Sequence, residues 1–417
     1  MGLNKRKRVT WSVCLSVAAA LLLAACSSSS STGTPAAAAG KFTGQPVTFT
    51  FIGDDTPPPG SAPTVPLATV KATVAAINAA GGISGHKLDM VICDTQSSAA
   101  VAETCASQAV ARKTPAVVSF TGEGSAIVPI LQSAHIPDID AAISPVELTS
   151  PVSFTIGPSA SGLAYGLGTI AVREKCKKLA FIGILPSAYV AIAEAAYGDV
   201  KTVVSGHGVT LLPAIQAVPG SPDFSSNIDT AQSEGADCIA YQAIDNADAV
   251  AIIKSARSIG YKGKLITAVP EYTAAGLSSL GSEANGVFAD GSTWPASQAS
   301  GHKGAQEFTE QMSKFGGLGT TTLGQNEAVW MEVRLFAAVA SEVKTVTAAS
   351  LLGALNGLHG YQTGLTPPIS YNIKAPDPAL GARIFLPDIV LGDFQNGAFV
   401  PSGGFVDIAT GVSVPFS

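Results

Sequence analysis

The sequence predicts an α/β fold with two doubly wound lobes, joined by a hinge that the chain crosses several times. The chain has 417 residues, whereas a single hydrophobic core stops growing at about 250–300 residues. Its hydrophobic content of 47% is enough to fill two such cores, and 43 Gly with 26 Pro indicate frequent turns. Strand and helix patterns alternate in two separate series, which predicts one sheet for each lobe.

The first series is recognised by a β-branched and aromatic strand followed by a helix with one apolar face. Val70, Val74 and Ile77 share that face, and Gly81-Gly82 ends the helix. The predicted strands are Val47–Ile52, Leu88–Cys93 and Ala116–Phe120, and the predicted helices are Val65–Ala79 and Ala99–Arg112.

The second series repeats this alternation and is followed by a different pattern. Its predicted strands are Leu179–Leu185, Val209–Ile215, Cys238–Tyr241 and Leu265–Val269, and its predicted helices are Ser161–Lys175, Ala191–Ser205, Phe224–Glu234 and Ala247–Ile259. Beyond Phe288 we predict a long amphipathic helix over Asn326–Val343. A hairpin of Ile389–Phe394 and Ala398–Val400 turns at Gln395-Asn396-Gly397.

These patterns divide the body of the chain between two lobes. We assign residues 45–157 and 289–364 to lobe 1, and residues 158–288 and 365–417 to lobe 2. The predicted crossings therefore lie near Gly157, Phe288 and Gly364, and ligands of such sheets bind outside the carboxyl ends of the strands.

The first residues are typical of a bacterial lipoprotein signal. Lys5–Arg8 is basic, Val9–Ala20 is apolar, and small residues precede Cys26. We expect residues 1–26 to be this signal with Cys26 as the lipidation site, and residues 27–44 to be a flexible tether. The body is then extracytoplasmic, anchored by lipid to the outer face of the cell membrane. The alternative is an uncleaved membrane anchor.

Composition and spacing exclude several classes of function. Without Lys5–Arg8 the chain has 20 basic and 30 acidic residues, a net charge of −10, so we expect no nucleic acid partner. The five histidines lack metal-ligand spacing. The chain has no Gly-x-Ser-x-Gly elbow and no Walker-type phosphate loop. We therefore predict no enzyme, no metal and no cofactor.

Four cysteines follow the signal, and outside the cytoplasm an even number suggests disulfides. Cys93 ends a predicted strand and Cys105 lies in the middle of the next helix, which pack side by side in a βαβ unit. Cys176 and Cys238 lie at or just before the starts of two predicted strands. We predict the bridges Cys93–Cys105 and Cys176–Cys238, with four buried free thiols as the alternative.

Residues Ile77–Leu88 read INAAGGISGHKL, which resembles the IN-x-x-GGI-x-G-x-x-L signature of the leucine/isoleucine/valine-binding protein family. Weaker matches follow in the family's order, at Glu147-Leu148-Thr149, Asp223-Phe224-Ser225, Gly235-Ala236-Asp237, Arg257–Tyr261 and Pro270-Glu271. The resemblance covers about residues 45–400. It implies the type I periplasmic-binding fold, whose two lobes close over a ligand like a flytrap, and delivery of the solute to the permease subunits of an ABC importer.

The resemblance also implies ligand contacts in lobe 1. The family's loop for the ligand carboxylate falls on Thr121–Ser125, which includes Glu123, Gly124 and Ser125, and a further contact falls near Ser144. The sequence leaves other roles open. Glu123 suits the dipole of the next helix, and Ser125 and Ser144 are equally suited to cap helices.

In lobe 2 the resemblance places the acid that holds the ligand's ammonium at Glu271 and a tyrosine contact near Tyr189. Tyr272 and Asp245 are further candidates from their positions after predicted strands. The alternatives are a solvated loop acid at Glu271 and core packing for both tyrosines.

Two departures from the family leave the ligand open. Glu123 would repel a ligand carboxylate, and the first loop, Thr56–Gly60, lacks the usual short Gly-Pro turn with its aromatic residue. A cationic, amide or aromatic solute is therefore also compatible. The predicted function is a monomeric solute-binding protein for a small amino-acid-like ligand. The alternative is a receptor of the same fold that senses an amide or another polar solute.

Overall fold

The computed structural model describes residues 42–56, 67–141, 143–185, 190–317, 322–377, 380–414 and 416. Within them the chain forms two separate sheets, each with helices packed on it. This is the predicted two-lobed α/β architecture. No helix in these ranges is both long enough and apolar enough to cross a bilayer.

The sheet of lobe 1 has five parallel strands in the order β2-β1-β3-β4-β5. Its strands are β1 (Val47–Gly53), β2 (Leu88–Asp94), β3 (Val117–Phe120), β4 (Asp138–Asp140) and β5 (Ser153–Thr155). Its helices are α1 (Leu67–Ala79), α2 (Ala99–Ala111), α3 (Gly124–Ser133), α9 (Lys303–Phe315), α10 (Gln325–Glu342) and α11 (Ala348–Asn356). The predicted long helix corresponds to α10, whose Trp330 and Phe336 are buried in the core of this lobe.

The sheet of lobe 2 has the order β14-β13-β12-β11-β10-β9-β6-β7, with β8 paired to β6. Its strands are β6 (Lys178–Ile184), β7 (Thr210–Leu211), β8 (Ile215–Gln216), β9 (Cys238–Ala243), β10 (Lys264–Ala268), β11 (Val287–Gly291), β12 (Asp388–Gln395), β13 (Ala398–Asp407) and β14 (Ser413–Val414). Its helices are α4 (Ser159–Arg173), α5 (Val190–Val204), α6 (Ser225–Ser233), α7 (Asn246–Ser258) and α8 (Ala274–Leu280). Apolar clusters fill both faces of this sheet.

The predicted strand Val209–Ile215 is wrong as one element. The structure divides it into the two short strands β7 and β8, which both pair with β6. Pro213 lies between them, and proline has no N–H to donate to a neighbouring strand. The predicted hairpin is confirmed, because Asn396 and Gly397 have φ of 52° and 77° at the turn between β12 and β13.

The last crossing between the lobes lies later in the chain than Gly364. Leu365, Ile369, Phe385 and Leu386 all belong to the buried core of lobe 1. Leu380 and Ile384, in contrast, belong to a buried cluster of lobe 2. The segment between α11 and β12 therefore packs on both lobes before the chain enters the sheet of lobe 2 at Asp388.

Both predicted disulfides are confirmed. Cys93 at the end of β2 is bonded to Cys105 in α2, and Cys176 is bonded to Cys238 at the start of β9. The bridges therefore join a helix to the sheet in lobe 1, and in lobe 2 they join the segment just before β6 to the neighbouring strand β9.

The signature Ile77–Leu88 has a structural role. The side chain of Asn78 bonds both backbone groups of Leu88 at 2.8 Å, which joins the end of α1 to the start of β2. Gly82 has a φ of 71°, and a Cβ there would lie 2.0 Å from the carbonyl oxygen of His86. Only glycine fits this tight turn.

Candidate functional site

The carboxyl ends of the parallel strands of lobe 1 carry a group of acidic side chains. Asp54 and Asp55 follow β1, Asp94 ends β2, and Glu123 lies three residues after β3. Because neighbouring parallel strands end at the same edge of the sheet, these residues lie at the edge where doubly wound folds bind ligands.

Two of these acids hold the loops together. The Asp54 carboxylate accepts hydrogen bonds from Thr95, from Thr121 at 2.6 Å and from the backbone N–H of Gly122 at 3.1 Å. The Asp94 carboxylate accepts hydrogen bonds from the hydroxyl of Thr56 at 2.6 Å and from two backbone N–H groups. These bonds join the loops that follow β1, β2 and β3.

The other two acids, Asp55 and Glu123, are partly buried and make no side-chain hydrogen bond within the described ranges. Burial and the nearby charge of Asp94 raise the pKa of Asp55 to about 6. Burial and the charge of Asp54 raise the pKa of Glu123. Glu123 occupies the N-cap position of α3, but its side chain makes no capping bond. Its carboxyl is therefore available to a ligand.

The first residue of α3, Gly124, lies against two polar side chains from the loop after β4. A Cβ on Gly124 would lie 2.1 Å from Oε1 of Glu147 and 2.4 Å from Oγ of Ser144. Glu147 is buried, and its Oε2 accepts a hydrogen bond of 2.7 Å from the backbone N–H of Ser144. Glycine at position 124 thus lets the carboxyl of Glu147 approach the start of α3. Ser125, the next residue of the helix, is exposed.

We expect Gly124→Ala to destabilise the protein, because the added methyl group overlaps two buried side chains that have little room to move. Overpacking of this kind typically costs about 1–3 kcal/mol, which chemical denaturation will detect. Gly353→Ala in α11 is the matched control, since a Cβ there meets nothing within 4 Å. Equal stability of the two variants would contradict this close packing.

At the edge of lobe 2, Glu271 lies in the turn Val269–Glu271 that directly follows β10. Its side chain is 6% exposed and accepts a hydrogen bond of 2.9 Å from Thr267. Burial raises the pKa of its carboxyl well above the usual range. Glu271 is therefore a buried acid. It is not solvated, which was the alternative that the sequence left open.

The other predicted residues of lobe 2 have different surroundings. Tyr272 is fully buried, bonds the hydroxyl of Tyr241, and packs edge-on against Phe394, so it fills the core and is not available to a ligand. Asp245 is partly exposed and caps α7 by accepting a hydrogen bond of 2.7 Å from the N–H of Ala247. Tyr189 and the loop residues Pro57–Gly60 lie outside the described residues.

Sequence reasoning missed the acids after the first two strands and the buried Glu147. Asp54, Asp55 and Asp94 could have been proposed from the sequence, because each follows or ends a predicted strand and ligands bind at the carboxyl ends of such strands. Glu147 was part of a weak family match, but nothing in that match indicated that its side chain is buried against Gly124. No group of His, Cys, Asp or Glu in the described ranges has the geometry to hold a metal ion.

The model of the family described as periplasmic binding protein matches residues 46–380. The chain belongs to this family. The match spans most of both lobes, and it confirms the resemblance drawn from the sequence signature. No curated protein matched this chain at a significant level.

Solved structures share the fold at low sequence identity. A branched-chain amino acid ABC transporter protein from Thermus thermophilus with bound valine is 18% identical, with a TM-score of 0.69, covering 87% of this chain and 96% of that one. A solute-binding protein from R. palustris in complex with 4-hydroxybenzoate is 18% identical, with a TM-score of 0.68 and coverages of 85% and 95%. The branched-chain amino acid binding protein of Streptococcus pneumoniae in complex with isoleucine is 17% identical, with a TM-score of 0.68 and coverages of 85% and 97%.

Proposed function

We propose that this chain is the extracytoplasmic, lipid-anchored binding protein of an ABC importer, and that it holds a small, amino-acid-like solute between its two lobes. The observation that carries the proposal is the buried acid Glu271 at the carboxyl end of β10. A buried carboxyl that can ionise beside a bound ammonium group provides a charged hydrogen bond, which typically contributes about 1.5–3 kcal/mol.

The mechanism is conformational and involves no chemical step. A solute that contacts both lobes stabilises the closed arrangement more than the open one, and this difference in affinity shifts the equilibrium toward closure. The closed protein then docks on the permease subunits. Membrane attachment through lipid at Cys26 would keep the protein close to that partner, and it acts as a monomer.

We expect Glu271→Gln to weaken the binding of an amine-bearing ligand about 10- to 100-fold, because the amide keeps the shape of the side chain and loses its charge. A thermal-shift screen of the full chain in detergent, with amino acids, amides, amines and small aromatic acids, identifies the ligand. Calorimetry then gives the Kd of both proteins.

The matched control is Glu283→Gln, which removes an exposed acid from the same lobe and should leave Kd unchanged. Ligand binding that Glu271→Gln does not weaken would remove the basis of the proposal. Uptake of the ligand by cells that carry the permease distinguishes import from sensing.

A further inference from the structure

The start of α3 is the position at which the family resemblance places a ligand carboxylate, yet it is already next to a carboxyl of this chain. The Oε1 atom of Glu147 lies 2.1 Å from where a Cβ of Gly124 would be. The carboxyl of Glu147 therefore already occupies the space beside the first residue of α3. A ligand carboxylate at this position would have to approach the carboxyl of Glu147.

Other acidic side chains near the start of α3 also disfavour a ligand carboxylate there. Glu123 is the residue directly before Gly124, and the charge of Asp54 acts on it. Asp55 lies at the same sheet edge, where the charge of Asp94 acts on it and Lys71 partly opposes that effect. Like charges in a partly buried site repel one another more strongly than they do in water. A cation would instead be attracted by Asp55 and Glu123.

A second observation, independent of charge, is the hydroxyl of Ser144. Ser144 is 5% exposed, and its Oγ has no hydrogen-bond partner within the described residues. This oxygen lies 2.4 Å from the position of a Gly124 Cβ, so it faces the start of α3. A buried polar group without a partner costs about 1–3 kcal/mol. A ligand N–H that reaches this oxygen would recover that free energy.

We propose that lobe 1 receives a cationic nitrogen of the solute, held by Glu123 and Asp55 with Ser144 as a further acceptor, in place of a carboxylate. This inference rests on the proposed function, because it concerns the other end of the same ligand. With Glu271 holding an ammonium group from lobe 2, the solute class is a small diamine or guanidino-amine without a free carboxylate.

The test compares four probes, 1,4-diaminobutane, agmatine, leucine and leucinamide. They differ in the chemical group that each offers to lobe 1. Calorimetry on the full chain in detergent should show that at least one of the two dications binds, and that leucinamide binds more tightly than leucine. Glu123→Gln and Asp55→Asn should each weaken binding of the dication about twofold to fivefold. Both residues are partly exposed, so these substitutions should not prevent folding.

Glu103→Gln is the matched control, because Glu103 is an exposed acid of α2 in the same lobe, and it should leave binding unchanged. Tighter binding of leucine than of leucinamide and both dications would overturn the inference, as would the absence of dication binding. If leucine is preferred and Glu271→Gln abolishes its binding, this inference fails while the proposed function stands. If Glu271→Gln leaves the binding of every probe unchanged, both fail.

Discussion

Replacing Cys176 and Cys238 together by alanine is expected to lower the free energy of unfolding by about 4 kcal/mol, because this disulfide joins residues 62 apart in the chain. In the chain-entropy account, a cross-link removes conformations from the unfolded state, and a longer loop loses more of them. The same account gives about 3 kcal/mol for Cys93–Cys105, whose separation is 12 residues. Urea unfolding of the two double variants measures both differences.

Alanine is the suitable replacement because all four half-cystines are largely enclosed by protein and serine would place a hydroxyl among apolar side chains. The Cys93→Ala/Cys105→Ala variant is the control for a general effect of losing a disulfide. A larger loss from the short loop than from the long one would show that packing at the bridges, and not loop length, determines their contribution.

The free energy of unfolding is expected to fall as the pH rises from 4 to 8, because several carboxyls are buried away from water. In lobe 1, burial raises the pKa of Asp138, Glu147 and Glu332 well above the usual range, and the three lie close enough for their charges to interact. In lobe 2, burial and the charge of Asp407 raise the pKa of Asp388 from 3.8 to about 6.

The sign of the effect follows from proton linkage. A carboxyl whose pKa is raised by folding holds its proton in the folded state at a pH at which the unfolded chain has lost it. Its contribution to stability is therefore fully present below the unfolded pKa and is lost as the pH rises through the folded pKa. For Asp388 the rise of the pKa from 3.8 to about 6 corresponds to about 3 kcal/mol of the free energy of unfolding. This contribution is lost as the pH rises from the first value to the second. For the three acids of lobe 1 the loss continues at higher pH.

Melting temperatures of the wild type and of Glu332→Gln from pH 4 to pH 8 test this expectation. Glu332 is the clearest choice, because it is fully buried and neither carboxyl oxygen has a hydrogen-bond partner within the described ranges. The glutamine cannot ionise, so the variant should gain stability relative to the wild type at pH 8 more than at pH 5. Glu103→Gln should follow the wild-type curve. A wild-type melting temperature that rises from pH 5 to pH 8, with a pH-independent effect of Glu332→Gln, would contradict the account.

Much of the fold could be predicted because its elements depend on patterns among residues that are close together in the sequence. The two strand–helix series, the helix α10 and the turn at Asn396-Gly397 each follow from periodicity or from residues that favour one backbone conformation. The disulfides could be paired because the predicted order of strands and helices places Cys93 beside the middle of the next helix and places Cys176 and Cys238 near the starts of two strands. The interruption of the strand at Pro213 could also have been predicted from the sequence, since proline has no N–H to donate to a neighbouring strand.

Part of the site was equally accessible. Asp54, Asp55, Asp94 and Glu123 lie at or just after the ends of strands of lobe 1, and Glu271 lies just after a strand of lobe 2. The parallel strands of each sheet bring their ends to one edge of that sheet, whatever their distance along the chain. The sequence by itself therefore determined the fold class, the covalent links and the edge at which the acidic side chains meet.

Only the tertiary structure decided which of these side chains are buried and what they touch. Gly124 contacts Ser144 and Glu147 across twenty or more positions of sequence, Tyr272 lies in the core, and the segment between α11 and β12 packs on both lobes. Hydrophobic periodicity reports which face of an element is apolar, but it carries no information about which distant residue will cover that face. The burial that shifts a pKa or leaves a hydroxyl without a partner arises from those long-range contacts.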